Sequence, residues 1–339
     1  MKIFYAVQAT GNGHISRAME LLPYLREYGE VDIFLSGDNS HLKLDAPIRY
    51  RSKGISLYYN CKGGLDYWQM IKGLHPIRLR EEIRDLPVEK YDLVLNDFDY
   101  ITSAACARKK VSSIHFGHQA SFQSPQTPRP VKKNKAGEWL LKHYVKADHT
   151  IGLHFGHYDE FIYGPVVKKD ILHAEPTDGN YITVYLPSYC EPQLQQIFHS
   201  LADFRFEIFS KEATTIRQDK NIRFLPVNKE LFNKSLVNCK GIISGAGFET
   251  PAEALQLGKK IMVIPIRGQY EQQCNAAALQ QMGITSLSQI DEEFSGHFIN
   301  WLQLAPVIQK DYSDTIPQCL EHLFSLAEQK SAPSLLEYY

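Results

Sequence analysis

The sequence predicts an α/β protein made of two doubly wound parallel-sheet domains. Three observations carry that expectation. Short apolar runs alternate with helical patterns along the whole chain, the alternation restarts near Tyr181, and glycine and proline punctuate the stretch before the restart, at Tyr163-Gly-Pro-Val166 and Glu175-Pro-Thr-Asp-Gly179. Alternation of this kind favours parallel sheets covered on both faces. A chain of 339 residues is long for one domain and comfortable for two. The expected division is 1–163 for the first half, 164–180 for the connection, 181–330 for the second half and 331–339 for a tail.

In the first half the apolar runs predict strands at Ile3–Val7, Val31–Leu35, Leu93–Asn96, Ser113–Phe116 and Thr150–Leu153. Helical spacing predicts helices at Ser16–Tyr28, Asp66–Arg84, Tyr100–Arg108 and Glu138–Lys146. The second half gives strands at Tyr181–Leu186, Arg205–Phe209, Ile222–Leu225, Gly241–Ser244 and Ile261–Ile264. Its helices are expected at Gln193–Leu201, Glu230–Asn238, Pro251–Leu257, Gln272–Met282 and Thr315–Gln329. Between Gln119 and Lys135 lies a polar segment with Pro125, Pro128 and Pro130, read either as an acceptor-side flap or as a disordered surface loop.

Composition excludes several classes. The formal net charge of -1 argues against a nucleic-acid binder that depends on an overall basic field. A locally basic set, Arg78, Arg80, Arg84, Arg129, Lys132, Lys133 and Lys135, reads as a solvated face or as a surface meeting anionic lipid or an anionic acceptor. The six cysteines form no CxxC pair and read as small buried residues of a reducing compartment. Met1–Val7 runs straight into a strand without the pattern of a signal peptide, and no apolar run approaches the ~20 residues a bilayer crossing needs. A soluble, cytoplasmic protein is the expectation, either free or resting on the inner membrane face.

Two stretches carry chemistry. The first, Gln8-Ala-Thr-Gly11-Asn12-Gly13-His14-Ile-Ser16-Arg17, follows a strand and opens a helix. A dinucleotide-binding loop would want glycine where Ser16 stands and an acid where Leu35-Ser36-Gly37 ends the second strand. The alternative is a GxGH turn on the floor of a cleft. A helix N-terminus tends to keep an imidazole there neutral, and a neutral His14 serves as general base towards a hydroxyl. The bland alternative is an imidazole that only bonds a loop carbonyl.

The second stretch is Gly245-Ala-Gly-Phe-Glu-Thr-Pro-Ala-Glu253, preceded by Gly241-Ile-Ile-Ser244 and followed by Gly258, Pro265 and Glu271-Gln-Gln-Cys-Asn-Ala276. It reads as strand, tight turn, helix, strand and polar loop. Small residues at a helix N-terminus let a phosphate reach free N–H groups. Glu253 offers oxygens to the two hydroxyls of a ribose, and Glu271 and Gln272 offer groups to a polyol. Phosphate, diol and polyol together describe a nucleotide sugar.

Together these signatures resemble the GT-B glycosyltransferases, in particular the inverting group of the lipid II N-acetylglucosaminyltransferase and the UDP-glucuronosyltransferase-like proteins. The GxGHxxRA start matches Gly11, Gly13, His14, Arg17 and Ala18. The GxxTxxEAxxxGxxxxxxP pattern matches Gly247, Thr250, Glu253, Ala254, Gly258 and Pro265, and the closing run matches Glu271, Gln272, Asn275 and Ala276. The resemblance implies two Rossmann-like domains facing across a cleft, with the donor held by the second. Ser244, Gly245, Ala246, Gly247 and Thr250 would then cradle the diphosphate, Glu253 would bind the ribose, and Glu271 and Gln272 the sugar. Gly11, Asn12, Gly13 and Arg17 would form the acceptor and phosphate loop, and His118, which borders the Gln119–Lys135 segment, reads from that position as a catalytic or acceptor-side group. The co-substrate would be a UDP-sugar, with no cofactor and no required metal, and the acceptor would be a lipid, glycan or small molecule. A nucleotide-sugar epimerase and a non-catalytic nucleotide-sugar binder are the rival readings on the same fold.

Asp97 and Asp99 end the strand Leu93–Asn96. Asp97 reads equally as a cleft carboxylate, the proton acceptor in place of His14, and as a helix cap; for Asp99 the cap is preferred. His-Phe-Gly-His occurs twice, at His115–His118 and His154–His157. A four-nitrogen metal site is conceivable from that spacing, but histidines at strand ends more often bond or touch substrate.

Overall fold

The computed structural model describes residues 1–9, 12–37, 44–54 and 75–331. Gly11, Cys61, the first part of the helix expected from Asp66, and the tail from 332 onward lie outside the described residues.

The first sheet contains β1 (Lys2–Gln8), β2 (Glu30–Ser36), β3 (Ile48–Ser52), β4 (Leu93–Asp97), β5 (Ile114–Gly117), β6 (His149–Leu153) and β7 (Ile162–Tyr163). Its order is β3-β2-β1-β4-β5-β6-β7, and every pairing is parallel. The second contains β8 (Ile182–Tyr185), β9 (Phe206–Ser210), β10 (Arg217–Asp219), β11 (Ile222–Pro226), β12 (Gly241–Ser244), β13 (Lys260–Val263) and β14 (Thr285–Ser286). Its order is β10-β11-β9-β8-β12-β13-β14, with only β10 antiparallel to its neighbour. Both sheets therefore reverse direction of winding once, between β1 and β4 and between β8 and β12. In open α/β sheets, ligands bind outside the carboxyl ends of strands at such switch points.

The central strands are the apolar runs visible in the sequence, because helices cover both of their faces. β1 is buried from Ile3 to Gln8 and β4 throughout. The strands that the sequence did not disclose are β3, β7, β10 and β14, all peripheral. β3 reads Ile48-Arg-Tyr-Arg-Ser52 with a half-exposed face, and the other three are only two or three residues long.

Helix boundaries moved for local reasons. The first helix spans Asn12–Tyr28 instead of starting at Ser16, which places Gly13 and His14 in its first turn. The Trp139 helix spans Lys135–His143, begun by the Asn134 side chain, which accepts from Gly137 N at 3.0 Å. Within the described residues the helix expected at Asp66–Arg84 is Pro76–Asp85, opened by proline at its first position. The helix Phe294–Leu304 was not anticipated.

The first part of the Gln119–Lys135 segment is not a loose loop, while residues 131–135 are exposed. Gln119, Ala120, Ser121, Phe122, Ser124 and Thr127 are buried. Arg129 pins the segment by donating to Phe122 O at 3.0 Å, Thr127 O at 2.7 Å and Glu138 Oε1 at 2.6 Å. The last helix, Thr315–Ser331, was expected to stay with the second half but returns to the first sheet. Tyr312 Oη donates to Phe155 O at 3.0 Å, Tyr28 stacks on Phe324 with ring centres 3.7 Å apart, and Ile316, Cys319 and Leu323 join a core shared by both halves, which holds Tyr5 and Leu95 together with Ile242 and Val263. No helix among the described residues is long and apolar enough to cross a membrane.

Candidate functional site

The carboxyl ends of β1 and β4 bring His14, Arg17 and Asp97 together. Asp97 ends β4 with no exposed surface. Arg17, one turn beyond His14, grips it with a two-pronged fork: Nε to Oδ2 at 3.1 Å and Nη2 to Oδ1 at 2.9 Å. His14 Nδ1 lies 2.9 Å from Asp97 Oδ1. A proton on Nδ1 donates to that carboxylate and leaves Nε2 as the lone-pair nitrogen. Arg17 Nη2 also lies 3.0 Å from Nδ1, and because a guanidinium only donates it would bond the opposite tautomer, with Nδ1 unprotonated; the charge-assisted bond to the Asp97 carboxylate favours the Nδ1–H form. Burial raises the Asp97 pKa, and the charges and hydrogen bonds of Arg17 and His14 outweigh it, bringing it to about 2. Burial also works against the Arg17 charge, but Asp97 and Glu249 raise its pKa further.

The turn that presents Asp97 is shaped by its neighbours. Asn96 Oδ1 accepts from Asp99 N at 2.7 Å while Asn96 Nδ2 donates to Asp99 O at 2.9 Å. This brace holds Phe98 in the left-handed region, at φ 59°, a conformation that costs a non-glycine residue and is often kept at functional sites. Asp99 caps the Tyr100–Lys109 helix, accepting from Thr102 N at 2.6 Å. Gly117 packs against Asp97 where a side chain would not fit: it has φ +116°, and a Cβ there would sit 2.7 Å from Asp97 Oδ1.

The second sheet faces this group with the carboxyl end of β12. Ser244 is buried, and its hydroxyl donates to Gly245 O at 3.0 Å. A Cβ on Gly247 would meet nothing within 4 Å, so the space above that turn is open. The helix Glu249–Gln256 follows and carries Thr250 and Glu253. Glu249 was not singled out in the sequence, yet its carboxylate reaches the first half, taking Arg17 Nη1 at 3.1 Å on Oε1. It also crowds Gly13, where any Cβ would collide with it. Glu253 is buried and pairs with Lys168 Nζ at 2.9 Å.

Glu271 and Gln272 open the helix Tyr270–Gln281. Glu271 takes Gln119 Nε2 at 3.1 Å, and burial raises its pKa. Gln272 uses Oε1 to accept from Ile266 N at 2.9 Å. Asn275 donates to Ala246 O at 3.0 Å and fixes the turn from behind.

His118 does not border open space. It is 1 % exposed, stacks on Phe248 at 3.9 Å, and places Nδ1 3.0 Å from Leu153 O and Nε2 2.8 Å from Asn275 Oδ1. Burial holds its pKa down at about 3, and a neutral ring has one N–H, so it donates to one of these two oxygens only. His115 and His154 are likewise buried and neutral, and the Nε2 atom of each lacks a partner. The repeated His-Phe-Gly-His turns thus form packing around Phe122, Phe155 and Phe248. Among the described residues no three His, Cys, Asp or Glu side chains converge as a metal-binding set.

A family model described as glycosyl transferase family 1 matches residues 1–303. The chain belongs to that family. A comparison with curated proteins finds no significant match. Solved structures show the same fold at low identity. The glycotransferase of kitacinnamycin superposes with a TM-score of 0.61 at 13% identity, covering 97% of this chain and 98% of that one. Phytolacca americana UGT2, solved with UDP-2-fluoro-glucose and pterostilbene, gives 0.59 at 12%, covering 98% and 95%. MurG of Acinetobacter baumannii gives 0.56 at 12%, covering 96% and 99%. This glycosyltransferase therefore has the GT-B arrangement, and its two switch points are the walls that meet between the sheets.

Proposed function

We propose that this glycosyltransferase is an inverting enzyme that takes its sugar from a nucleoside diphosphate, UDP in the first instance, and gives it to an acceptor hydroxyl. The observation that carries the reading is the buried His14–Asp97 pair set opposite the open turn at Gly247. His14 is the base. Asp97, enclosed and held by Arg17, orients the ring and balances the charge it gains. The acceptor oxygen attacks the anomeric carbon from the face opposite the diphosphate. The new C–O bond forms as the bond to the diphosphate breaks, the electron pair leaves with the diphosphate, and the acceptor proton passes to His14 Nε2.

The leaving group gathers negative charge in that step. The N–H groups at the start of Glu249–Gln256, the Thr250 hydroxyl and the backbone of Ser244–Gly247 stabilise it, in place of a metal. Glu253 takes the ribose hydroxyls, and Glu271 and Gln272 the sugar. The nucleotide assignment is supported by the neighbouring structures solved with UDP-2-fluoro-glucose, UDP-L-rhamnose and dTDP.

On the acceptor side, Val131 and Trp139 are exposed beside Lys132, Lys133, Lys135 and Lys142. The Lys135–His143 helix, which carries Trp139, Lys135 and Lys142, is anchored by Tyr270, whose hydroxyl donates to Glu138 at 2.6 Å. An apolar tip ringed by lysines supports an acceptor presented at an anionic membrane surface. Co-sedimentation with phosphatidylglycerol vesicles, lost in Trp139→Ala, tests this.

The central experiment is a thermal-shift panel of nucleoside diphosphates and UDP-sugars, followed by assay of UDP release with and without acceptor. A ligand at ~100 times its dissociation constant adds about 2.7 kcal/mol of stability. A UDP shift, acceptor-dependent turnover that persists in chelator, and an inverted anomeric centre by NMR support the assignment. Acceptor-independent conversion of the sugar means an epimerase, and binding without turnover means a binding protein.

A further inference from the structure

We propose that Lys168 is a positioning residue of the donor site, holding the buried Glu253 carboxylate in the ionised, fixed form that a ribose diol needs. This rests on the reading of Glu253 as the ribose acid.

Lys168 comes from the connection between the sheets, directly before the short turn of helix Lys169–Leu172. Its ammonium lies 2.9 Å from Glu253 Oε1, with the two side chains only 13% and 4% exposed. A second contact, to Asn233 Oδ1 at 3.3 Å in the helix Lys229–Asn238, holds the lysine from the other side. The next residue ties the same segment to the first half, where Lys169 N donates to Glu20 Oε2 at 3.1 Å.

Among the described residues, the other charged groups that act most on Glu253 are acidic. Glu249 sits one turn earlier on the same helix, and Glu20 faces it from Asn12–Tyr28. Burial is the largest influence and raises the Glu253 pKa, and the two glutamates push the same way. Lys168 opposes all three. Without it a buried carboxylate would have no cation and would take up a proton instead. An ionised carboxylate only accepts, so it suits two hydroxyl donors, whereas a protonated one has to place its own donor.

The test is UDP affinity by titration calorimetry from about pH 5.5 to about 8.5, for wild type, K168M, K168R, E253Q and K168M/E253Q. Taking each variant relative to wild type at the same pH cancels the titration of UDP itself. K168M is expected to bind UDP about tenfold more weakly at the acid end and to recover towards wild type at the alkaline end. K168R stays near wild type throughout. E253Q is weakened equally at all pH values, and K168M/E253Q binds as E253Q does. A K168M deficit that is the same at every pH overturns the proposal, as does tighter binding, which would make Lys168 a competitor for the carboxylate. A double variant weaker than E253Q also overturns it, because Lys168 would then touch the donor directly. If K168M alone does not fold, K168R and the double variant still decide. Unchanged binding in E253Q removes the ribose role of Glu253 and the role of Lys168 with it.

Discussion

The two sheets break their strand order at equivalent places and furnish those places differently. Between β1 and β4 the work is given to side chains: His14, Arg17 and Asp97 are buried and joined by bonds of 2.9–3.1 Å before any substrate arrives. Between β8 and β12 it is given to backbone and small residues, and nothing lies within 4 Å of a Cβ built on Gly247. A proton is transferred only along a defined line, so its acceptor is fixed in advance. A diphosphate is met by several N–H groups at once, so its site needs room more than fixed side chains.

Removing the imidazole should have the largest effect and should fall on one wall only. His14→Ala is expected to lower kcat roughly a hundred- to ten-thousand-fold, while UDP affinity by calorimetry stays as in wild type. A kcat within a factor of a few of wild type would remove His14 as the base.

Arg17 is next, and its effect is on the fold as well as on the chemistry. Arg17→Met leaves Asp97 buried without its cation, and breaking a buried pair from one side costs about 3–5 kcal/mol. Urea unfolding should report that loss. Above the ordinary aspartate range, Asp97 adds stability that disappears as pH falls through its folded pKa of about 2; the variant should lack this dependence. Equal stability of variant and wild type would mean that the fork is not a structural tie.

These residues also mark how far the sequence could be read. The central strands were legible because burial on both faces leaves continuous apolar runs, and the glycine turns were legible because close approach admits no side chain. The edge strand Ile48–Ser52 was not, since half of it faces solvent. Nor were the pairings Arg17–Glu249 and Lys168–Glu253, which join residues far apart in the chain and leave no local spacing. Arg17 looked like a loop cation for phosphate, and only burial at 3% exposure reveals its grip on Asp97. The Gln119–Lys135 segment looked loose from its prolines because Arg129 binding back to Phe122 has no sequence signature.

The histidines behind the site extend the contrast to pH. His115 and His118 are held neutral by burial, with pKa values of about 4 and about 3, and His154 is lowered in the same direction. Unfolding frees all three to take protons below about pH 6.5. The unfolded state then binds more protons, so stability is lost as pH drops below about 6.5, by up to about 1.4 kcal/mol per unit for each histidine. His154→Asn keeps an acceptor for Phe155 N, which donates to Nδ1 at 2.9 Å. Its stability relative to wild type should rise steadily as pH drops below about 6.5, and a constant difference would count against a neutral buried ring.

The smallest change sharpens the comparison furthest, because it separates stability from binding on the open wall. Gly247 lies outside the left-handed backbone region, and its Cβ position is empty. Gly247→Ala should therefore fold with no clash and gain about 0.4–1 kcal/mol, because alanine has fewer unfolded states to lose. The added methyl projects into the space assigned to the diphosphate and should weaken UDP about tenfold, or ~1.4 kcal/mol. Gly13→Ala is the contrasting change: its methyl meets the end of the flexible Glu249 side chain, which has to swing off Arg17, so it tests the Arg17–Glu249 contact and leaves the open turn untouched. A protein made more stable and a poorer binder by one methyl would show that the emptiness above Gly247 is the donor site. Unchanged UDP affinity in Gly247→Ala would move the diphosphate elsewhere and end the division of labour between the two walls.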